Sequence, residues 1–474
     1  MQTLETDILI LGAGGAGLFA ALHAKNMNPG HEVTIAVKGL LGKCGCTRMV
    51  QGGYNVALSP GDSVERHFMD TIEGGGWLND QDLAWLLVET APKRIRELET
   101  ELDCFFDRTV HKGDLTGIEI INRLAEQVWQ HDVRRIEDHR ALDLIPSADG
   151  SELAGVLMPD MRTGEPLLVR ARATLLATGG GPTMYRYHTP SGDKSCDGLA
   201  MALRAGLPLR DIEMVQFHPT GLLAGEGTRM TGTVLEEGLR GSGGYLADAK
   251  GERFMFDYDK RGERATRDIV SRSIMDRIRK GHASPHGGVY IEMGHLGPER
   301  VRREFKGMVE RCADCGFDLA AGRVEVIPTE HYMMGGVLFS SDCTTPLPRL
   351  YGAGEDTGGV HGANRLGGNG VANSTVFGGI AGDVMGARTA RSGALPEPDK
   401  NAIDAAYQRA FAPLGRKSGN LPEMRERHYN IMWNDVGVLR DGQSLARGAA
   451  SLGALAREIA DCGVADASRR YNLT

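Results

Sequence analysis

The chain of 474 residues carries a net formal charge of −8, and 41% of its residues are hydrophobic. This length corresponds to roughly two to four structural units, enough to enclose a sizeable cofactor. The negative charge gives no basic field for nucleic acid, so no nucleic-acid partner is expected. No apolar run approaches the ~20 residues of a spanning helix and no leader precedes the first strand, so we expect a cytoplasmic protein without its own transmembrane segment.

Glycine is the unusual feature of the composition, at 65 residues. The glycines stand in short clusters, which is typical of tight turns and ligand-binding loops. The eight cysteines are scattered, which fits a reducing compartment. Cys312 and Cys315 have the spacing of a metal-ligand pair, but no second pair or histidine cluster accompanies them, so no metal site is predicted.

The first forty residues have the order of a dinucleotide-binding unit. Residues 6–11 predict a strand, residues 18–25 a helix and residues 32–37 a second strand. The turn before the helix is Gly12-Ala13-Gly14-Gly15-Ala16-Gly17, in which Gly12 makes the tight bend, Gly14 admits a pyrophosphate and Gly17 lets the helix pack on the sheet. A glycine-rich turn without nucleotide is the alternative.

Two later segments favour FAD over NAD. One element of the dinucleotide fingerprint is missing, because Lys38 stands where an acidic residue for the adenosine ribose is expected. Residues 46–53, Cys46-Thr47-Arg48-Met49-Val50-Gln51-Gly52-Gly53, follow it, and residues 174–181 read as an apolar strand that ends in Thr178-Gly179-Gly180-Gly181. This second glycine turn brings backbone close to a cofactor already seated by the first unit.

Three glycine-rich segments later in the chain predict a site for an acid. Residues 328–336 contain His331, residues 352–355 end in Glu355, and residues 361–369 contain Arg365 and Asn369. Imidazole and a guanidinium fork can hold a carboxylate, while glycine permits a flat cofactor to approach the backbone. The combination indicates redox chemistry on an acid.

Further motifs make a family resemblance specific. Gln216-Phe217-His218-Pro219-Thr220-Gly221, Glu237-Gly238-Leu239-Arg240-Gly241 and Arg267-Asp268-Ile269-Val270-Ser271-Arg272 precede those segments in order. From Thr6 to about Cys462 the chain resembles the flavoprotein subunits of succinate dehydrogenase and fumarate reductase, with L-aspartate oxidase as a close relative.

The resemblance implies a role for each matching residue. It places Arg267 as the proton donor or acceptor over the substrate double bond, with Glu237 and Arg240 as the relay that supplies it. The residues that it implies for substrate binding are His218, Thr220, Glu236, His331 and Arg365. Those that it implies for FAD are Gly12, Ala13, Gly14, Gly15, Ala16, Gly17, Lys38, Cys46, Thr47, Gln51, Gly52, Gly53, Ala177, Thr178, Gly179, Asp197, Glu355, Arg365, Asn369 and Val371.

The chemistry supports these roles independently. Moving a hydride and a proton between neighbouring carbons needs an electron sink, a base and stabilisation of carboxylate charge. An arginine base, whose ordinary pKa is above ~12, needs another cation beside it and a carboxylate to pass on its proton. Glu237 and Arg240, three residues apart, share one face of a predicted helix and meet that need. The helix expected over residues 371–382 would direct its positive N-terminus toward the flavin.

Each candidate also has a structural explanation when taken alone. His218 would cap a turn before proline, His331 would be a core histidine, and the arginines and Glu237 would form surface pairs. The occurrence of all the motifs in family order favours the functional interpretation.

Two departures from the family pattern carry consequences. Cys46 stands where membrane-bound relatives often carry the histidine that links to FAD, and noncovalent FAD is favoured over a thiol link. Glu236 replaces a threonine whose hydroxyl helps to bind a substrate carboxylate in many relatives. Because a carboxylate would repel a dicarboxylate at this point, the sequence predicts that the substrate is an acid other than plain succinate.

The predicted fold is α/β, with a Rossmann-like FAD-binding domain, an inserted α+β capping domain and a C-terminal helical bundle. Residues 1–218 and 336–386 form the FAD-binding domain, residues 219–335 the cap, and residues 400–474 the helical domain. Helices are expected over residues 401–411, 422–436 and 441–460. Ending at residue 474 leaves the bundle incomplete relative to the family, which predicts a split subunit, a truncation or a partner-dependent form.

The leading functional hypothesis is an FAD-dependent dehydrogenase or reductase acting on a carbon–carbon bond next to a carboxylate. Its cysteines lack ferredoxin-like spacing, so electrons would pass to an iron–sulfur subunit or a soluble carrier. Any attachment to a membrane would be peripheral, through partner subunits. A C–N oxidase similar to L-aspartate oxidase and a non-catalytic flavin-bearing electron carrier remain as alternatives.

Overall fold

A computed structural model describes residues 1–471 except residues 52, 103–108, 111–115, 226–227, 229 and 390–392. Of residues 99–102 and 109–110 only the backbone is described. The predicted cofactor residue Gly52 and the cysteine Cys104 lie outside the described residues.

The strands are, in chain order, β1 Gln2–Leu11, β2 Val33–Ala36, β3 Tyr54–Asn55, β4 Thr109–Val110, β5 Val133–Ile136, β6 Asp143–Pro146, β7 Leu153–Pro159, β8 Pro166–Leu176, β9 Leu209–Arg210, β10 Val215–Leu222, β11 Tyr245–Ala247, β12 Val289–Glu292, β13 Arg323–Met333, β14 Gly336–Val337 and β15 Leu350–Gly352. The helices are α1 Gly15–Met27, α2 Val64–Gly74, α3 Gln81–Leu102, α4 Thr116–Gln130, α5 Asp197–Arg204, α6 Glu237–Gly241, α7 Arg267–Arg279, α8 Pro298–Glu304, α9 Lys306–Ala313, α10 Asn369–Thr389, α11 Lys400–Phe411, α12 Leu421–Asp435 and α13 Gly442–Asp461.

The main sheet is ordered β5-β2-β1-β8-β7-β6, and β15 adds to β8. Its central strands β5, β2, β1, β8 and β15 are parallel, whereas β6 and β7 pair antiparallel. The predicted strand–turn–helix–strand unit is confirmed, with β1 beginning four residues earlier than predicted and α1 beginning at Gly15.

Helix α10 packs against α1 on one face of this sheet, and small residues allow the close contact. A β-carbon on Gly378 would lie 2.6 Å from the carbonyl oxygen of Ala16, and one on Gly382 would lie 2.4 Å from that of Ala20. Both helices are almost entirely buried, so neither shows an amphipathic pattern. Their packing fixes the N-termini of both helices at the same edge of the sheet.

The inserted segment forms a second sheet, ordered β10-β13-β12-β11 and antiparallel throughout. It buries a core of its own, which includes Leu222, Leu239, Phe254, Ile274 and Val326. Strand β10 crosses the predicted limit of the cap at residue 218, whereas β13 ends at Met333, two residues before the predicted limit at residue 335. The predicted α/β class with an inserted α+β unit is confirmed, and the exact limits of the domains remain a prediction.

The C-terminal helices pack in two different places. Helix α11 packs on the main sheet, where Ile403 and Ala406 contact Ile145 and Leu168. Helices α12 and α13 pack on each other through residues such as Met424 and Leu455. In the described part of the chain no helix is both long enough and apolar enough to cross a bilayer.

Candidate functional site

A cleft opens at the carboxyl ends of β1 and β8. In parallel sheets this edge is where ligands bind. Most of the predicted cofactor residues line the cleft, namely Gly12, Ala13, Gly14, Gly15, Ala16, Lys38, Cys46, Thr47, Ala177, Thr178, Gly179, Asp197 and Glu355.

The glycine turn has the geometry that a dinucleotide requires. Gly12 has a φ of 110°, and a β-carbon there would lie 2.2 Å from the carbonyl oxygen of Ala177. A β-carbon on Gly17 would lie 2.0 Å from the carbonyl oxygen of Gly12, so this glycine lets α1 pack against the turn. A side chain on Gly14 would meet only Thr47 Oγ1, at 3.6 Å, which leaves room for a ligand at the N-terminus of α1.

Cations line the cleft, and two of them were not predicted. Asp197 accepts from Lys38 Nζ at 2.6 Å and from Arg140 at 2.8 Å. Burial would raise the pKa of Asp197, but Arg140 and Lys38 outweigh it and lower that pKa. Lys194 is buried and pairs with Glu355, which also accepts from the backbone N–H of Met333 at 3.1 Å. Fixed cations beside a glycine cradle fit the pyrophosphate of FAD.

Cys46 lines the cleft as predicted, but its chemistry does not favour a covalent link. Burial raises the pKa of its thiol to about 12. The thiolate, which is the nucleophilic form, is therefore scarce at neutral pH. This agrees with the prediction of noncovalent FAD.

Five predicted cofactor residues lie away from this cleft. Gly17 packs inside α1, Gly53 and Val371 are buried outside the cleft lining, and Asn369 donates to Thr71 Oγ1 at 3.1 Å. The side chain of Gln51 contacts the cap. Cofactor contacts of these residues remain predictions.

Tyr332 links the cleft to a second cluster. Its ring lines the cleft, and the guanidinium of Arg365 lies over that ring, 4.5 Å from its centroid. Gly370, at the start of α10, also lines the cleft, and a β-carbon there would lie 3.3 Å from Arg365 Nη1. The predicted substrate arginine therefore lies directly beside the cofactor cleft.

Gln216 joins the two predicted arginines. Its side-chain oxygen accepts from Arg267 Nη1 at 3.0 Å and from Arg365 Nη2 at 3.1 Å. Its amide nitrogen donates to Asn364 Oδ1 at 2.8 Å and to the carbonyl oxygen of Arg365 at 2.7 Å. These four bonds fix the amide orientation and hold two guanidinium groups side by side. Gln216 belongs to the motif that contains His218 but had no predicted role, although strand alternation places it on the same face as His218.

The two predicted histidines converge on this cluster. The rings of His218 and His331 have centroids 5.4 Å apart. The backbone N–H of Thr220 donates to His218 Nδ1 at 3.3 Å, so the proton of the neutral ring is on Nε2. His331 Nδ1 lies 2.6 Å from Thr189 Oγ1. Burial and Arg267 hold the pKa of both imidazoles well below 6.5, so they are neutral hydrogen-bond groups.

The predicted relay is continuous. One carboxylate oxygen of Glu237 accepts from Arg267 at 2.8 and 3.1 Å, and the other accepts from Arg240 at 3.2 Å. Arg240 is buried and also donates to the carbonyl oxygen of Glu263 at 2.7 Å. Burial opposes the charge of Glu237, yet Arg267 and Arg240 keep its pKa well below the usual range. The side chain of Glu237 is 45% exposed, so the relay reaches solvent.

Arg365 is a buried cation beside the cofactor cleft. It is 5% exposed, and in the part of the chain that the structure describes it forms no ion pair and its Nε has no hydrogen-bond partner. Burial lowers its pKa to about 10. An unpaired buried charge is costly, so Arg365 is suited to an anionic ligand group.

Glu236 immediately precedes α6. Its Oε1 lies 3.6 Å from where a β-carbon on Gly238 would stand, so the carboxylate folds along the start of the helix. Thr220, the remaining predicted substrate residue, donates to the carbonyl oxygen of Leu235 at 2.8 Å and thus supports this segment. Among the described residues no cluster of three histidine, cysteine or acidic side chains suits a metal.

Known protein families match most of this chain. The FAD binding domain family matches residues 7–371, and the fumarate reductase flavoprotein C-terminal family matches residues 425–474. The matching chain of the fumarate reductase (CoM/CoB) of Methanothermobacter marburgensis is 39% identical over 98% of this chain and 87% of that protein. L-aspartate oxidase of Synechocystis is 32% identical over 95% of this chain and 82% of its own length. A solved quinol-fumarate reductase with menaquinol superposes with a TM-score of 0.92 and 32% identity, covering 100% of this chain and 87% of the other.

Proposed function

Because the chain belongs to the family of fumarate reductase and succinate dehydrogenase flavoprotein subunits, we propose that it transfers a hydride and a proton across a carbon–carbon bond next to a carboxylate. It is an FAD-dependent oxidoreductase, and bound FAD supplies the hydride acceptor or donor. The glycine turn, Lys38, Arg140 and Lys194 would hold that cofactor in the cleft.

Arg365 supports this activity most directly, because it lies beside the cofactor cleft and has no acidic partner among the described residues. A substrate carboxylate would supply its missing counter-charge through charge-assisted hydrogen bonds. The neutral His218 offers its Nε2–H to a second oxygen acceptor. His331, across the pocket, is also held neutral, so that neither imidazole adds repulsion between cations. These groups would orient the acid against the cleft.

Arg267 would handle the proton. Its Nε and Nη2 are held by Glu237, and its Nη1 is held by Gln216, so the guanidinium is fixed in one plane. A proton passed to or from the substrate carbon would be replaced through Glu237, which bridges Arg267 to Arg240 and to solvent. Without such a relay an arginine, with its ordinary pKa above ~12, could not exchange protons fast enough.

The partner would be a separate electron carrier. Fumarate reductase flavoprotein subunits work with iron–sulfur subunits, and the cysteines of this chain lack ferredoxin-like spacing. The electron partner would therefore be an iron–sulfur subunit, with any attachment to a membrane made through partner subunits. Glu236 keeps the prediction that the preferred acid is not plain succinate.

A second candidate is amine oxidation, favoured by the relative named L-aspartate oxidase and by Glu236, whose carboxylate would suit an ammonium group.

Steady-state turnover separates these candidates. The FAD-bound protein should reduce unsaturated dicarboxylates with a dye donor or oxidise saturated ones with a dye acceptor, and Arg365→Gln should lose at least ~100-fold in kcat/KM. Ammonia and peroxide released from L-aspartate would favour amine oxidation instead. Bound FAD that no acid reduces or reoxidises would overturn both.

A further inference from the structure

Tyr332 and Gln216 lie opposite each other on paired strands, and both contact Arg365. Tyr332 is on β13 and Gln216 on β10, and the two residues are partners in the register of that pair. Gln216 accepts from Arg365 Nη2 at 3.1 Å, and the guanidinium carbon of Arg365 lies over the Tyr332 ring, 4.5 Å from its centroid. One edge of the guanidinium is therefore held by an amide and one of its faces by an aromatic ring.

Two neighbours fix the ring of Tyr332. Its hydroxyl oxygen accepts from Asn373 Nδ2 at 3.1 Å and lies 3.4 Å from His361 Nε2. The rings of Tyr332 and His361 stand nearly perpendicular, at 81°, with centroids 5.4 Å apart. All three side chains are buried, and burial raises the pKa of the Tyr332 phenol, so the ring is neutral. Its contact with Arg365 is thus between a cation and a π face, not an ion pair.

This face contact leaves the in-plane hydrogens of Arg365 to a ligand. A guanidinium carries five N–H groups in its plane. Among the described residues, Nη1 of Arg365 donates to the carbonyl oxygen of Leu366 at 3.0 Å, Nη2 donates to Gln216, and Nε has no partner. A carboxylate partner would occupy the same in-plane hydrogens that an acid needs, whereas a π face attracts the cation from above the plane. Tyr332 can therefore offset the charge of Arg365 without competing with the acid.

We propose that Tyr332 is a positioning residue that holds the Arg365 guanidinium through its π face and so sets the affinity of the site for an acid. The inference rests on the proposed function, in which Arg365 binds a substrate carboxylate. It gives an aromatic ring the task that the Glu237 carboxylate has for Arg267. Because Tyr332 also lines the cofactor cleft, one ring borders both the cofactor site and the acid site.

Substitutions of Tyr332 in the oxidised, FAD-bound protein separate the π face from the shape of the ring. The dissociation constants of fumarate and malonate, neither of which can reduce the flavin by the proposed reaction, are measured from perturbation of the flavin spectrum. Tyr332→Leu removes the π face and should weaken both acids about 5- to 30-fold, whereas Tyr332→Phe keeps it and should stay within about twofold. Tyr332→trifluorophenylalanine keeps the ring but makes its face less negative, so it should bind both acids at least about threefold more weakly than Tyr332→Phe.

Two controls show whether the effect passes through Arg365. In an Arg365→Gln background, Tyr332→Leu should change acid binding by less than about twofold, because the cation is already gone. Tyr351→Leu removes a similarly buried tyrosine ring from β15 and, as the matched control, should leave acid binding unchanged. Crystal structures of the FAD-bound variants add a readout that needs no acid. Arg365 should stay over the ring in Tyr332→Phe and move away in Tyr332→Leu.

The outcomes distinguish the two proposals. Equal affinities of the Phe and trifluorophenylalanine variants would overturn the role of the π face, and so would an undiminished effect of Tyr332→Leu in the Arg365→Gln background. If Tyr332→Leu does not retain FAD, the comparison of the Phe and trifluorophenylalanine variants decides. Wild-type protein that binds neither acid would contradict the proposed function, while the position of Arg365 in the crystal structures would still decide the role of Tyr332.

Discussion

Glu237 holds Arg267 through a single carboxylate oxygen, which lies 2.8 Å from Nη2 and 3.1 Å from Nε. The second oxygen of Glu237 faces Arg240 at 3.2 Å. One carboxylate therefore connects an arginine at the substrate pocket to an arginine in the core of the cap, and each guanidinium keeps the pKa of that carboxyl low.

Replacing Glu237 with glutamine should separate proton transfer from binding. The amide preserves the shape but cannot carry a proton between the arginines, so we expect kcat to fall about 10²- to 10⁴-fold. Substrate affinity should change by less than about tenfold, since Glu237 faces Arg267 and not the carboxylate subsite. Single-turnover rates and dissociation constants would test this. An equal loss of kcat and of substrate affinity would show that Glu237 acts mainly in binding.

Gln216 should act as a positioning residue for the two arginines. Gln216→Leu removes the shared acceptor, so Arg267 and Arg365 should move apart and kcat/KM should fall about 10- to 100-fold. Gln216→Glu keeps an acceptor but adds a negative charge beside the substrate carboxylate, so KM should rise more than in Gln216→Leu. Steady-state kinetics of the two variants provide the comparison. Full activity in Gln216→Leu would contradict the role.

The active-site histidines should not titrate in the physiological range. Burial and Arg267 depress the pKa of His218 and His331 well below 6.5, so both remain neutral as the pH falls from 8 to 6.5. Any fall in kcat/KM caused by their protonation should occur only at distinctly lower pH. The pH profile of kcat/KM measures this. An inflection near pH 6.5 that disappears in His331→Asn would show that the imidazole is an ordinary titrating group.

His23 should make stability depend on pH. It lies on α1 and faces α3 and α10, with Nδ1 2.8 Å from Asp383 and Nε2 3.5 Å from Glu97. Burial opposes its charge, but the hydrogen bonds with Asp383 and Glu97 outweigh burial and raise its pKa above 6.5. A raised folded pKa gives stability that is fully present below the unfolded value and is lost as the pH rises through the folded value.

Urea unfolding at pH values from 6 to 9 would measure the effect. The free energy of unfolding should fall across this range, and His23→Gln should flatten the fall. His295→Gln, at an exposed position of the cap, is the matched control. A slope that His23→Gln leaves unchanged would assign the dependence to other groups.

Local sequence patterns were enough to predict the glycine turn and the helix that border the cofactor cleft. The spacing of Gly12, Gly14 and Gly17 predicts the turn because the steric requirement of each position is set by residues nearby or by one strand. Helix α10 was predicted from its run of small and apolar residues, although it extends seven residues farther than predicted, to Thr389. Such features depend on backbone geometry and are visible in sequence.

Contacts between side chains that are far apart in the sequence were harder to predict. Lys194 follows a polar loop with no pattern that predicts burial, and only the fold brings it to Glu355. The contact of Arg311 with Gln51 joins the cap to the FAD-binding part, and no periodicity encodes it. Gln216 could have been assigned, because the residue two positions before His218 on a strand shares its face. Functional polar contacts of this kind depend on tertiary packing.

Binding of an acid beside FAD and movement of its proton by Arg267 can be separated by anaerobic spectroscopy, with oxidised protein mixed with saturated dicarboxylates and reduced protein mixed with unsaturated ones. In at least one of these mixtures the wild-type flavin should change redox state, bleaching with a saturated acid or regaining its colour with an unsaturated one. In Arg267→Ala with FAD still bound, the flavin spectrum should shift when the acid binds, but the flavin should not change redox state. Redox change at the wild-type rate in Arg267→Ala would show that Arg267 does not move the proton.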